Sequence, residues 1–347
     1  MADGSTKRSV LVVGMGSIGR RHTRILRELG VSDIRACDTS AERLDAARQD
    51  FGIAETYASF EEALRSRPQA VFVCSPTALH VEQALAALAA GADVFIEKPL
   101  STSLGGIEQL EAAARTPPSA ILPPLQRGGR GGVVMVGHCF RFHEGLLRAK
   151  KMIEQGRIGR LVSIRCMVGE YIPDVMPSYK TMYISQYSGA YELMHEIDLA
   201  LWFANQAPDR VIAIDGSASD VGMRSPDLVE AVIRFGERLV ASVHLDFFQR
   251  ARRRQTELMG TQGTIIVEFA RWDRCVLSVY EASTGEWVVQ EITTDRDDLF
   301  RAEDGAFLAA CAARTVPPVT IADGRLAVSV MLAAQESSAS GSSVAPR

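Results

Sequence analysis

The 347-residue chain has no excess of basic charge; its formal net charge is -4. Binding to nucleic acid or to an anionic membrane needs clustered positive charge, so neither partner is expected. No apolar run approaches the ~20 residues that cross a bilayer. The start, "MADGSTKRSV", passes straight into a strand without a hydrophobic leader segment. Cys37, Cys74, Cys139, Cys166, Cys275 and Cys311 are scattered and show no metal-ligand spacing. No metal site is expected, and a cytoplasmic, reducing location fits best. What is present is an ordinary globular composition, 47% hydrophobic, in a chain long enough for about two domains.

"SVLVVGMGSIGRRHTRILRELG" reads as strand, glycine turn and helix. Gly14, Gly16 and Gly19 fit G-x-G-x-x-G, with Ser17 and Ile18 opening the helix. Gly14 permits the turn, Gly16 lets backbone approach a pyrophosphate, and Gly19 lets helix and strand pack closely. An acidic residue belongs about 20 positions on, and "DIRACDTS" supplies Asp38. A carboxylate there accepts from the adenosine ribose and repels a 2′-phosphate. Thr39 and Ser40 follow with no arginine to receive that phosphate, so the expected cofactor is NAD.

Two further strands end on the same sheet edge. One runs to Cys74 and turns at Ser75, Pro76 and Thr77 into a helix from about Ala78 to Ala90. His80 in its first turn either lines the cofactor cleft or faces solvent near the cap. The other, in "DVFIEKPLST", ends at Glu97, Lys98 and Pro99, since proline cannot donate to a ladder. Ligands of open α/β sheets bind at such carboxyl ends, although a solvated lysine is the ordinary reading of one lysine at a strand end. "TPPSAILPPLQRGGRGG", residues 116–132, reads as a disordered surface insertion. The first domain is expected over 1–139.

From residue 140 to 336 the pattern changes. The helix "RFHEGLLRAKKMIEQGRIG" precedes seven alternating, strand-like runs between Arg160 and Ile292, which predict one large, open, mostly antiparallel sheet. Two helices follow, near Arg301–Ala313 and Asp323–Gln335, and a disordered tail over 337–347. The fold class is α/β: a nucleotide-binding domain, then an α+β domain. "GAYELMHEIDLALWFANQ" reads as one buried helix among the strands. Glu192, His195 and Asp198 then share one ~120° arc. Ionisable groups on such a helix need partners, a cavity or a task; a surface charge pair with a capped histidine is the plainer alternative.

Gly14-Met15-Gly16-Ser17-Ile18-Gly19, Ser75-Pro76-Thr77-Ala78-Leu79-His80, Glu97-Lys98-Pro99 and His195-Glu196-Ile197-Asp198 together resemble the Gfo/Idh/MocA oxidoreductases, from about Ser9 to Ser340. The glutamate-lysine-proline element with the later histidine helix is far more specific than the glycine loop. "GHCFRFH" and "GEYIPD" are similar to segments of the branch acting on nucleotide sugars and amino sugars. The resemblance implies a Rossmann domain, an open-sheet α/β domain and a nicotinamide between them. It implies that Lys98 helps bind substrate and cofactor and assists proton transfer, that Glu97 belongs to the cofactor site, and that His195 is the acid/base. Many members carry an aspartate four residues before the histidine, where this chain has Tyr191. Some carry it three before, which places that role on Glu192.

The expected function is therefore NAD-dependent oxidation of a secondary hydroxyl on a sugar, amino sugar, nucleotide sugar or cyclitol. An NADH-dependent ketosugar reductase and a non-catalytic dinucleotide-binding regulator are the alternatives. Tyr171, Asp174, Tyr179, Lys180 and Tyr183 are candidate sugar contacts. Arg141 and Arg165 could meet a phosphate or carboxylate, as could Arg252, Arg253 and Arg254, for which a solvated edge strand is the plainer reading. A homodimer or homotetramer through the open sheet is expected.

Overall fold

A computed structural model describes residues 8–116, 131–182 and 189–347. The expected insertion lies almost wholly outside the described residues, and so does Tyr183. The chain divides into two compact units, residues 1–138 with 300–325, and residues 139–299 with 326–347.

The first unit is a six-stranded parallel sheet. Its strands are β1 (Ser9–Val13), β2 (Asp33–Cys37), β3 (Thr56–Tyr57), β4 (Ala70–Val73), β5 (Asp93–Glu97) and β6 (Val134–Gly137), in the order β3-β2-β1-β4-β5-β6. Helices α1 (Ser17–Glu28), α2 (Ala41–Phe51), α3 (Phe60–Arg65), α4 (His80–Ala89) and α5 (Ile107–Arg115) make the crossovers. β1, β4, β5 and β6 are buried at every position, which is why they read as continuous apolar runs rather than alternating ones. Strand order reverses at β1, between β2 and β4, and nucleotides bind at such a switch point. The helix expected from Ala78 opens as a 3-10 turn, Thr77–Leu79, before α4 begins at His80.

The second unit holds an eight-stranded sheet. After α6 (Glu144–Glu154) come β7 (Leu161–Tyr171), α7 (Ile172–Val175), α8 (Tyr179–Met182) and α9 (His195–Ala204). The remaining strands are β8 (Arg210–Gly216), β9 (Leu228–Phe235), β10 (Leu239–Asp246), β11 (Phe248–Gly260), β12 (Gly263–Glu268), β13 (Arg274–Glu281) and β14 (Glu286–Thr293). Their order is β14-β13-β12-β11-β7-β10-β9-β8. Among the described residues of this unit, only β7 and β10 pair in parallel. β8 and β9 alternate buried and exposed residues, the signature of a sheet covered on one side. Ile212, Ile214, Val232 and Val240 stand on the uncovered side, 41–70% exposed.

α10 (Arg296–Ala313) and α11 (Ile321–Ser340) each contribute to both units. The tail expected to be disordered is structured. α11 runs to Ser340, Val344 bridges Val211, and the Arg347 carbonyl accepts from the Ser329 hydroxyl at 2.6 Å. The tethers come from outside the tail, a backbone pairing with β8 and a hydroxyl of α11, which the tail's own polar composition does not reveal. Arg252–Arg254 also depart from expectation. β11 lies between β12 and β7 rather than at an edge, and Arg254 is buried. All six cysteines are buried free thiols. Among the described residues no helix is long and apolar enough to cross a membrane.

Candidate active site

The glycine turn follows β1. Gly14 has φ +90°, and a Cβ there would lie 2.5 Å from the Cys74 carbonyl oxygen, so only glycine fits. Gly16 caps α1 without a side-chain hydrogen bond and has open space where a Cβ would point. That leaves the first amides of α1, at Ser17 and Ile18, available to an anion. Asp38 directly follows β2 with both oxygens held by backbone: Met15 N–H donates at 2.7 Å and Ser40 N–H at 2.8 Å. The carboxylate is thereby fixed at the β1–β2 edge, as ribose recognition requires, and these residues fit a dinucleotide. The structure adds a residue the sequence reading passed over. Arg43, in the first turn of α2, reaches Asp38 at 3.4 Å and lines the same hollow with Met15, Arg20 and Ser40. An arginine five positions on is invisible to a search of the next two residues, because the helix turn brings it back.

Ser75 donates from its hydroxyl to Gln83 at 2.5 Å. His80 does not face solvent. It is 1% exposed, with Nδ1 2.8 Å from the Pro99 carbonyl oxygen and Nε2 2.8 Å from the Ser75 carbonyl oxygen. Burial lowers its pKa, and the ring spans the two turns with a carbonyl oxygen at each nitrogen. It is a brace between the Ser75–Thr77 turn and the Lys98-Pro99 turn.

Glu97 also turns inward. One carboxylate oxygen meets His22 Nε2 at 2.9 Å, and the other accepts the Lys98 backbone N–H at 2.9 Å. His22 is fully buried, and its Nδ1 meets Asp304 of α10 at 2.8 Å. Burial opposes charge on His22, but the two carboxylates outweigh it and lift the pKa to about 10. Neither His22 nor Asp304 was singled out from the sequence. The only local signal was a histidine on the α1 face that also buries Gly19 and Ile25.

In the second unit the expected single helix is two pieces. Gly189–Leu193 is a 3-10 turn, and α9 starts at His195. Glu192 therefore does not share a continuous α-helical face with His195. A helix needs regular i to i-4 pairing, whereas the segment Gly189–Leu193 is wound in the tighter 3-10 form and begins at a left-handed Gly189, φ +70°, where a Cβ would lie 2.3 Å from the Pro226 carbonyl oxygen. Tyr191 is buried and donates to Asp215 at 2.6 Å. It takes up a structural bond rather than standing in for an acid.

His195 lies edge-on to Phe140, ring centroids 4.8 Å apart. Arg254 covers that phenyl ring at 3.8 Å and pairs with Glu196 at 2.6 and 2.9 Å. Asp198 pairs with Arg141, both buried. These ion pairs fix α9 against the strand and turn below it.

The candidate substrate contacts scatter. Arg141 is committed to Asp198, so it does not serve as an anion receptor. Arg165 is on the uncovered side of β7, paired with Glu257. Tyr179 is buried and donates to the Val221 carbonyl at 2.7 Å, which occupies its hydroxyl. Lys180 lies 5.7 Å from the Tyr179 ring. Tyr171, at the end of β7, is covered by Arg250 at 3.7 Å, and Asp174 is exposed on α7.

Comparison with known proteins agrees with this geometry. Residues 8–120 match the model of an oxidoreductase family described as having an NAD-binding Rossmann fold, and residues 146–266 match the GFO/IDH/MocA C-terminal domain. The chain is 27% identical to 1,5-anhydro-D-fructose reductase of Ensifer adhaerens, over 95% of this chain and 96% of that protein. It is 30% identical to inositol 2-dehydrogenase of Pseudomonas savastanoi pv. phaseolicola, over 73% and 71%. A crystal structure of scyllo-inositol dehydrogenase from Lactobacillus casei with bound NAD(H) and scyllo-inositol superposes with TM-score 0.80 at 22% identity, over 98% and 99% of the two chains. Order of elements, turn chemistry and sequence agree: the chain belongs to the Gfo/Idh/MocA family and is an NAD-dependent oxidoreductase.

Proposed function

We propose that the protein interconverts a secondary alcohol and a ketone on a sugar or cyclitol. The observation that carries this is Lys98. It stands at the carboxyl end of β5 with its backbone fixed on both sides, by Glu97 before it and by His80 at the Pro99 carbonyl after it. A lysine held this firmly at a nucleotide-binding sheet edge suits a developing alkoxide. His195 supplies the base. The imidazole takes the hydroxyl proton in oxidation and returns it in reduction. When bound, the nicotinamide supplies the hydride acceptor or donor. The C–H electron pair leaves as hydride, the O–H proton goes to His195, and the carbonyl forms; reduction reverses each transfer.

The state of the arginines favours an uncharged polyhydroxylated substrate over a phosphorylated one. Arg141 and Arg254 are both spent on buried carboxylates. Amino sugars stay within the reading, since Asp174 is exposed and acidic. A relative named for inositol and another named for anhydrofructose support a cyclitol or sugar class. A non-catalytic binder has no need of both Lys98 and His195. Six free thiols support a reducing, cytoplasmic compartment. The apolar side of the second sheet, around Ile212 and Ile214, supports a homodimer or homotetramer. A strictly monomeric species in light scattering would overturn that assembly.

The test is NADH formation with NAD and a panel of cyclitols, free sugars, amino sugars and nucleotide sugars, with Lys98→Met alongside. Turnover of one class, reduced about 10²–10⁴-fold in Lys98→Met, is expected. No turnover in either direction, with NADH still bound, would point to the regulator.

A further inference from the structure

Lys98 is joined by Glu97 to two residues far away in the chain. The four groups form one line: Lys98 backbone N–H to Glu97 at 2.9 Å, Glu97 to His22 Nε2 at 2.9 Å, and His22 Nδ1 to Asp304 at 2.8 and 3.0 Å. All lie in the first unit. His22 comes from α1, the helix that opens on the glycine turn, and Asp304 from α10, which follows the whole second sheet in sequence. The imidazole is walled by Phe72, Phe95 and Phe300, with ring centroids 5.1–5.8 Å away.

A buried polar line of this kind is costly unless every member is paired. A plain apolar contact between α1 and β5 would hold the sheet as well or better. The line does something an apolar contact cannot. It fixes the direction of the Glu97 carboxylate, and that carboxylate holds the peptide from which the Lys98 side chain departs. With carboxylates on both nitrogens, the ring donates from both and cannot turn over without losing a bond. Arg43 and Arg20 are not part of it; they line the hollow beside Asp38.

We propose that His22 and Asp304 are positioning residues for Lys98, acting through the Glu97 carboxylate. The inference rests on the reading of Lys98 as a participant in the reaction. His22 and Asp304 touch neither substrate nor cofactor in this role. They set where the lysine amine stands, so their loss affects the chemical step more than dinucleotide binding.

The experiment uses the full chain with His22→Gln and, separately, Asp304→Asn. Each variant is first shown to be folded by thermal melting. The chain has only five lysines, Lys7, Lys98, Lys150, Lys151 and Lys180, so acylation by an amine-directed ester can be followed site by site by mass spectrometry. In both variants Lys98 labelling changes by about threefold or more relative to Lys151, and kcat falls about 10–100-fold while KM for NAD stays within about threefold. Lys98 labelling and kcat both within about twofold of the parent protein in a folded variant would overturn the proposal. So would loss of fold in both variants, which would assign the line to stability alone. Failure of the substrate reading looks different: the parent protein turns over nothing in the panel, yet Lys98 labelling still responds to His22→Gln.

Discussion

Arg141 and Asp198 meet as a buried two-point ion pair, with Nη2 at 2.7 Å and Nε at 3.0 Å from the carboxylate oxygens. The pair joins the Cys139–Phe142 turn to the first turn of α9, and so it helps fix the backbone that presents His195. The direction of each partner is set by packing, and neither is left for substrate.

Removing one member strands a buried charge. Asp198→Ala is expected to destabilise the fold by about 3–5 kcal/mol. Urea unfolding at constant pH measures it. The double variant Arg141→Leu/Asp198→Leu should recover most of that loss, because two apolar groups need no partner. A double variant no more stable than the single one would contradict this account.

His22 couples stability to pH. Its folded pKa, about 10, lies above the ~6.5 of an unfolded histidine. Protonation therefore favours the folded state. The contribution is complete below about pH 6.5 and is lost as pH rises towards 10. His22→Gln lacks it. The stability difference between parent and variant should shrink steadily from pH 6 to pH 10, as read from urea midpoints. A constant difference would show that the ring is neutral in the folded protein.

We propose that Asp38 and Arg43 set cofactor choice together. The carboxylate neutralises the arginine and would repel a 2′-phosphate. Asp38→Ala frees Arg43 for such a phosphate through a charge-assisted bond. The ratio of kcat/KM for NADP over NAD should rise about 10–100-fold. An unchanged ratio with both cofactors weakened would mean that Arg43 does not reach the phosphate.

Gly14 tolerates no side chain. Gly14→Ala combines an unfavourable φ with a Cβ 2.5 Å from the Cys74 carbonyl. The strain costs about 2 kcal/mol or more, and it displaces the glycine turn proposed to hold the pyrophosphate. NADH affinity, followed by fluorescence titration, should fall at least about tenfold. Gly16→Ala, where open space meets the new methyl, should leave Tm nearly unchanged.

Much of this protein was legible locally. Strands β1, β4, β5 and β6 of the first unit are short apolar runs because both faces are covered, and β8 and β9 of the second sheet alternate because one face is not. The glycine turn, Asp38 and Lys98 follow from backbone geometry over a few residues. The reading failed where one helix was expected across Glu192, His195 and Asp198. Periodicity alone does not separate the tighter 3-10 turn over Gly189–Leu193 from the α-helix that starts at His195.

The amino-acid sequence by itself determined most of the element types, the glycine turn, the acidic residue after β2 and the lysine at the end of β5, since each depends on contacts within about one turn or one strand. The tertiary structure alone decided the partners of the buried charges. His22 finds Asp304 across 282 positions, Glu196 finds Arg254 across 58, and Asp198 finds Arg141 across 57. A buried charge must be paired whatever its distance in the chain, and only the packed fold says which opposite charge stands beside it.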